Sequence, residues 1–198
     1  MELRITTLIE NMPDEAGQLA YEHGLSLYIE FQGKRILFDT GQSGDFLKNA
    51  QVLDKSMQKM DAVIISHGHY DHSGGVPAFA KELKQSIPMY VGAGFFEKKY
   101  KLLSDGTYRY NGNPFTEEEL PKDKVCLQKV TEDVTCLHDN ILLFKNFRRV
   151  SDFEKLNPKF FLQKSMQDYT MKKSVFHRPP GSASPGWSGC GARFFICK

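Results

Sequence analysis

The sequence is short of cysteine, has no long apolar run and carries almost no net charge, and each shortage narrows what the protein can be. Its four cysteines, Cys126, Cys136, Cys190 and Cys197, form no C-x-x-C pair. They are too sparse for a disulfide scaffold, which fits a reducing compartment. The longest apolar stretches, such as Ala62-Val63-Ile64-Ile65, fall far short of the ~20 residues that cross a bilayer as a helix. Met1-Glu2-Leu3-Arg4-Ile5 shows no basic stretch leading into an apolar core, so no secretory signal is expected and a cytoplasmic address follows. With 26 Lys and Arg against 24 Asp and Glu, the formal charge is +2. That gives no strong overall field to draw in nucleic acid or an acidic membrane. What is present is a chain of 198 residues, 40% apolar and 25% charged, the size and composition of one globular domain.

Hydrophobic periodicity divides this domain into β and βα parts. Leu25, Leu27, Ile29 and Phe31 alternate with Ser26, Tyr28, Glu30 and Gln32, predicting a strand with one wet face. Gly33-Lys34 supplies a hairpin turn into Arg35-Ile36-Leu37-Phe38, and Leu3 to Ile9 offers a third strand, so a β-meander opens the fold. Phe46, Leu47, Ala50 and Leu53 then fall at helical spacing, Ala62 to Ile65 reads as a buried strand, and Val76, Phe79, Ala80 and Leu83 mark a second helix before the strand Met89-Tyr90-Val91. This alternation predicts sheet layers covered by helices. Val125 to Val130, Ile141 to Phe147 and Phe160 to Leu162 read as strands. The basic run Lys98-Lys99-Tyr100-Lys101 reads as a solvated helix face before it reads as a ligand contact. Residues 165–198 hold five Ser, four Gly and three Pro with a single acid, Asp168. The expectation is a domain over 1–164 followed by an irregular or disordered tail.

The densest chemical signal is Ser66-His67-Gly68-His69-Tyr70-Asp71-His72-Ser73-Gly74-Gly75. Three of the six histidines lie within six positions, in a loop between a buried strand and a helix, where ligand sites commonly form. Imidazole nitrogens and carboxylate oxygens suit zinc, iron or manganese. Two histidines one residue apart converge on one ion when the chain between them is extended, while Asp71 and His72 face a second. Crowded imidazoles gain nothing physically without such an ion. Gly68 permits a tight bend between the histidines, and Gly74-Gly75 lets the following helix start close by.

His-x-His-x-Asp-His after a buried strand resembles the signature of the metallo-β-lactamase superfamily, and Ile36-Leu37-Phe38-Asp39-Thr40-Gly41 is similar to that superfamily's first motif. Ile9-Glu10-Asn11, Glu22-His23-Gly24-Leu25-Ser26 and Gly112-Asn113-Pro114-Phe115 resemble its dihydropteroate-synthase-like branch. The resemblance covers about residues 1–164. It implies an α/β protein, an αββα sandwich with two divalent metals at one sheet edge, zinc foremost and iron or manganese as alternatives. It also implies that His67 and His69 hold the first ion, that Asp71 and His72 hold the second, and that Asp39 orients the loop. Asp71 and Asp39 are the acids expected to take part in catalysis. The implied activity is hydrolysis of a small molecule, with a pterin-related transferase or a non-catalytic remnant as alternatives. Nucleic acid and membrane are not expected as partners.

The chain departs from the family pattern further on. The superfamily completes its first site with a histidine, commonly in Gly-Cys-Ser-His, and adds a bridging Asp and a final His. Here the nearest echo is Gly189-Cys190-Gly191-Ala192, with Ala192 where histidine is expected. A truncated or frame-shifted chain is therefore expected, and it leaves two nitrogens on the first ion unless His138, His177 or Cys190 swings in. Loss of a second half would bare the apolar faces of Leu27, Ile29 and Ile65 and favour a homodimer. Among quieter features, His23 reads first as a surface residue. Phe95-Phe96 and Phe160-Phe161 read as core. Asp39-Thr40-Gly41 also resembles the triplet of dimeric aspartic proteases, a reading that leaves the histidines unexplained.

Overall fold

The computed structural model describes residues 2–138, 140–145 and 158–163, together with the backbone of 172–173 and 192–196. Strand β1 (Leu3–Ile9) pairs antiparallel with β2 (Ser26–Phe31), and β2 with β3 (Lys34–Phe38). The β2–β3 hairpin turns on Gln32 and Gly33, both with positive φ (51° and 75°), the backbone that matches the twist of the flanking strands. The turn thus falls one residue earlier than Gly33-Lys34. Helix α1 (Asp45–Val52) and β4 (Ala62–Ile64) follow, then the short α2 (Tyr70–Ser73), α3 (Val76–Glu82) and β5 (Ile87–Gly92). Strands β6 (Lys99–Leu102) and β7 (Tyr108–Tyr110) form a separate hairpin, and β8 (Val125–Val130) returns to the first sheet. Its strand order is β1-β2-β3-β4-β5-β8, and β3, β4, β5 and β8 run parallel.

Both faces of this sheet are covered. On one side Phe46 and Ala50 of α1 and Val76, Phe79 and Ala80 of α3 pack with Tyr28, Leu37, Val63, Ile65, Met89 and Val91. On the other, Ile29, Phe31, Ile36 and Ile64 pack with Ile141 and Leu143. The latter two come from β10 (Ile141–Lys145), which lies between β9 (Val134–His138) and β13 (Ala192–Ile196) in a second sheet. The third sheet, β12-β11-β6-β7, joins β11 (Phe160–Leu162) and β12 (Lys172–Lys173) to the β6–β7 hairpin. Helix layer, large sheet and second sheet are three layers of the expected α/β sandwich, seen among the described residues.

Three expectations are corrected. Strand β2 has no wet face, because Ser26 and Tyr28 are buried under the helix layer while Ile29 and Phe31 meet the second sheet. Ile29 and Ile65 are only 2% and 0% exposed, and Leu27 packs against the second cluster, so the bared apolar faces on which a homodimer was argued do not occur. Lys99-Tyr100-Lys101 is strand rather than helix. Within 165–198, β12 and β13 pair with β11 and β10, and the other residues of that stretch lie outside the described residues.

Buried Asn49 on α1 fastens the opening strand to the helix layer. Its side-chain nitrogen donates to the carbonyls of Leu8 (2.6 Å) and Ala20 (2.7 Å), and its oxygen accepts from the Ala20 N–H (2.8 Å). Asn49→Ala orphans these groups and is expected to lower stability by about 2–4 kcal/mol, measured by urea denaturation with an unchanged slope. A loss within error of zero would show that this tether is unimportant.

Candidate metal centre

Parallel pairing of β3 with β4 brings the carboxyl ends of both strands to one sheet edge, the edge at which ligand sites of such sheets form. Asp39 leaves β3 there in the left-handed conformation (φ 58°), and Ser66 leaves β4 beside it. Asp39 is 0% exposed, and both oxygens of its carboxylate accept hydrogen bonds. Oδ1 accepts from the Ser66 N–H at 2.7 Å, and Oδ2 accepts from Ser66 Oγ and from His72 Nδ1, both at 2.7 Å. A carboxylate so enclosed positions other groups and is not presented to substrate, which also removes the aspartic-protease reading.

From this anchor the ring protons can be followed. Ser66 Oγ gives its single proton to Asp39, so it accepts from His67 Nδ1 at 3.0 Å. His67 then bears a bare Nε2, which accepts from His69 Nδ1 at 2.8 Å. The ring centroids of His67 lie 4.5 Å from those of His69 and 4.2 Å from those of His72. His67 Nε2 and His69 Nδ1 therefore meet at one point. A second point is centred on Asp71 Oδ2, which lies 3.5 Å from His72 Nε2 and 3.4 Å from His23 Nε2. His23 is held by Asn11 Oδ1 at 2.9 Å and is 66% exposed, so a residue that read as surface joins the cluster.

Backbone contacts lock the loop. The Thr40 N–H and Oγ1 both donate to the His72 carbonyl. Ser73 Oγ lies 2.8 Å from the His69 carbonyl and 2.7 Å from Asn113 Oδ1, and Asn113 Nδ2 donates to the Phe95 carbonyl at 2.8 Å. Gly68 lies against that carbonyl so closely that a Cβ would collide with it. The Phe95 oxygen also accepts from Lys99 Nζ at 2.8 Å, while the same ammonium donates to the carbonyls of Gly94 and Glu97.

The electrostatics follow from this packing. Burial holds the His67 imidazole well below its ordinary 6.5, with the charges of His72, His69 and Lys99 adding to the effect. Burial also lowers His69 to about 4, against the opposing pull of Asp71. Both rings are neutral at pH 7, the form in which imidazole binds a cation. Burial pulls His72 down, but the Asp39 hydrogen bond and the charges of Asp39 and Asp71 outweigh it and leave the ring raised. Burial pushes the Asp39 carboxyl up, partly offset by His72 and Ser66.

This histidine loop coincides with a family match. The profile of the metallo-beta-lactamase superfamily covers residues 21–137, 117 of the 198. The chain belongs to this superfamily. A crystal structure of a metal-dependent hydrolase of the beta-lactamase superfamily superposes with a TM-score of 0.63 at 27% identity, over 82% of this chain and 55% of that one. A 7,8-dihydropterin-6-methyl-4-(beta-D-ribofuranosyl)-aminobenzene-5'-phosphate synthase of Methanocaldococcus jannaschii is 33% identical over 103 residues, half of this chain and 35% of that protein. A ribonuclease Z of Nanoarchaeum equitans is 32% identical over 73 residues, 37% of this chain and 21% of that protein. The chain thus spans about a third or less of these two curated relatives.

The superfamily fold brings together Asp39, His67, His69, Asp71 and His72. Among the described residues, no group of three or more His, Cys, Asp or Glu side chains is placed to hold one metal ion as it stands. His138 lies on β9, exposed and in another sheet; His177 and Gly189-Cys190-Gly191 lie outside the described residues. Sequence reasoning missed the roles of Ser66, Ser73 and Lys99. Ser66 has a weak signal, since it immediately precedes the first histidine, but nothing local marks Lys99 as buried. No helix among the described residues is long and apolar enough to cross a membrane.

The depressed histidines give a pH prediction for the metal-free protein. A ring whose folded value lies below 6.5 stabilises the fold above 6.5 and loses that contribution as pH falls toward its folded value. Acidification from 6.5 to 4 should therefore destabilise the protein, His69 alone contributing on the order of 3 kcal/mol at most. His72 acts in the opposite sense, at pH above 6.5. Thermal melts in a chelator should fall across this window, and His69→Gln should flatten the fall; equal slopes in the two proteins would refute it.

Proposed function

We propose that the protein is a metal-dependent hydrolase in which His67 Nε2 and His69 Nδ1 take a first divalent ion, while Asp71 and His72 Nε2 take a second. Zinc is the first choice, with iron or manganese as alternatives. The observation that carries this reading is the convergence of two neutral imidazole nitrogens at 2.8 Å beside a third ring oriented by a buried carboxylate at 2.7 Å, the support that metal-binding histidines ordinarily receive. A cation in place of the proton shared by His67 and His69 satisfies both lone pairs, so the donors present fit such an ion.

Divalent ions, when bound there, would supply water acidic enough to ionise near neutral pH and would polarise an electrophile. The chain's own groups do the rest. Asp39 holds a proton on His72 Nδ1 and thereby turns Nε2 toward the second ion's place. Asp71 Oδ2 lies within reach of His72 and of exposed His23, which supports a part for it in moving a proton toward solvent. Asp39 acts through His72 and is a positioning residue. A pterin-related group transfer at the same site is the second reading, supported by the 33% identity to the dihydropterin-linked synthase. The setting proposed is the cytoplasm, supported by the exposed free thiols of Cys126 and Cys136, and the substrate a small molecule.

Elemental analysis and turnover of an activated phosphodiester test the proposal. Chelator should abolish turnover and added zinc or manganese should restore it. His67→Ala and His69→Ala should lose bound metal. Asp39→Asn should retain metal at saturation but bind it roughly 10- to 100-fold more weakly. Unchanged metal content in both histidine variants would refute the ligand assignment, and absence of metal and turnover from the intact protein would favour a non-catalytic remnant.

A further inference from the structure

The third sheet carries a charge asymmetry that the histidine cluster does not use. Strands β6, β7 and β11 contain three cations, Lys99, Lys101 and Arg109, and no acid, in a chain whose total charge is only +2. The one carboxylate of the β6–β7 turn, Asp105, is tied to the N–H and Oγ1 of Thr107 at 2.9 and 2.7 Å. Register puts Lys101 opposite Arg109 on one side and opposite Phe160 on the other. Directly opposed residues of antiparallel strands share a face, and Lys101 Nζ indeed lies 5.8 Å from the centre of the Phe160 ring. That ring also meets the His69 imidazole, with centroids 5.2 Å apart and planes tilted by 35°. One aromatic side chain thus touches both the histidine cluster and the cationic face.

We propose that Phe160, Lys101 and Arg109 form the substrate-recognition face of this site, and that it takes a small molecule with a flat ring and a phosphate group. The proposal rests on the histidine cluster being the reaction centre. Phe160 supplies an apolar surface for the ring, because it is half-buried and its ring lies 5.2 Å from that of His69. Lys101 and Arg109 supply two donors of like charge from facing strands, and no salt bridge to either occurs among the described residues. Two adjacent cations repel each other, and a phosphate between them removes that repulsion while offering acceptors to both. Buried Lys99, on the same face of β6, is committed to three carbonyls of the chain at 94–97, so it adds positive potential and fixes the sheet without contacting the ligand.

Calorimetric titration of the full chain with phenyl phosphate, in chelator, tests this surface separately from metal. Wild type should bind phenyl phosphate at least tenfold more tightly than inorganic phosphate or phenol. Lys101→Gln and Arg109→Gln should each weaken phenyl phosphate about tenfold. Phe160→Leu should erase the advantage of phenyl phosphate over inorganic phosphate, with circular dichroism confirming that each variant is folded. Equal binding by wild type and both charge variants overturns the proposal. So does an advantage that survives in Phe160→Leu, or tighter binding of a single-stranded oligonucleotide than of phenyl phosphate through the same residues. Binding as expected in a protein without bound metal would uphold this surface while the metal assignment fails; metal bound by His67 and His69 with no phenyl phosphate binding would do the reverse.

Discussion

The site is organised around one buried carboxylate. Asp39 holds the loop after β4 by its backbone, through the Ser66 N–H, and by its side chains, through Ser66 Oγ and His72 Nδ1. A carboxylate withdrawn from water is costly unless its oxygens are satisfied, and here three donors at 2.7 Å meet that demand. Because the donors come from the loop that bears the histidines, satisfying Asp39 and orienting the rings are the same event. The bare Nε2 of His67 and the orientation of His72 follow from which donors Asp39 accepts, not from preferences of the rings themselves.

That anchor requires the parallel β3–β4 ladder. Asp39 and Ser66 are 27 residues apart, and only parallel strands in register Phe38↔Ile64 place them side by side. The centre therefore exists only in the folded sheet, and any ion that it binds acts on folding as well as on chemistry. The helices contribute burial: α3 starts at Val76, directly after the loop, and its Val76 and Phe79 are completely buried.

Much of this was legible in the sequence where the signal is local. The strands β1 to β5, both longer helices and the His-x-His-x-Asp-His loop follow from periodicity and from residue chemistry at close spacing. What was not legible depends on distant partners. Strand β2 alternates like a half-wet strand, yet it is covered on both sides because a second sheet, formed more than a hundred residues later, lies on Ile29 and Phe31. Lys98-Lys99-Tyr100-Lys101 looks like a solvated run, because nothing nearby shows that the carbonyls of Gly94, Phe95 and Glu97 will surround Lys99. His23 reads as surface until the fold sets it 3.4 Å from Asp71.

The carbonyl of Phe95 is the meeting place of three chain segments: Gly68 packs on it, Asn113 donates to it from beyond β7, and Lys99 donates to it from β6. An oxygen has two lone pairs, and both are taken. The histidine loop and the β6–β7 hairpin therefore share one anchoring atom, so a side chain added at Gly68 would have to displace a carbonyl that Asn113 and Lys99 both hold.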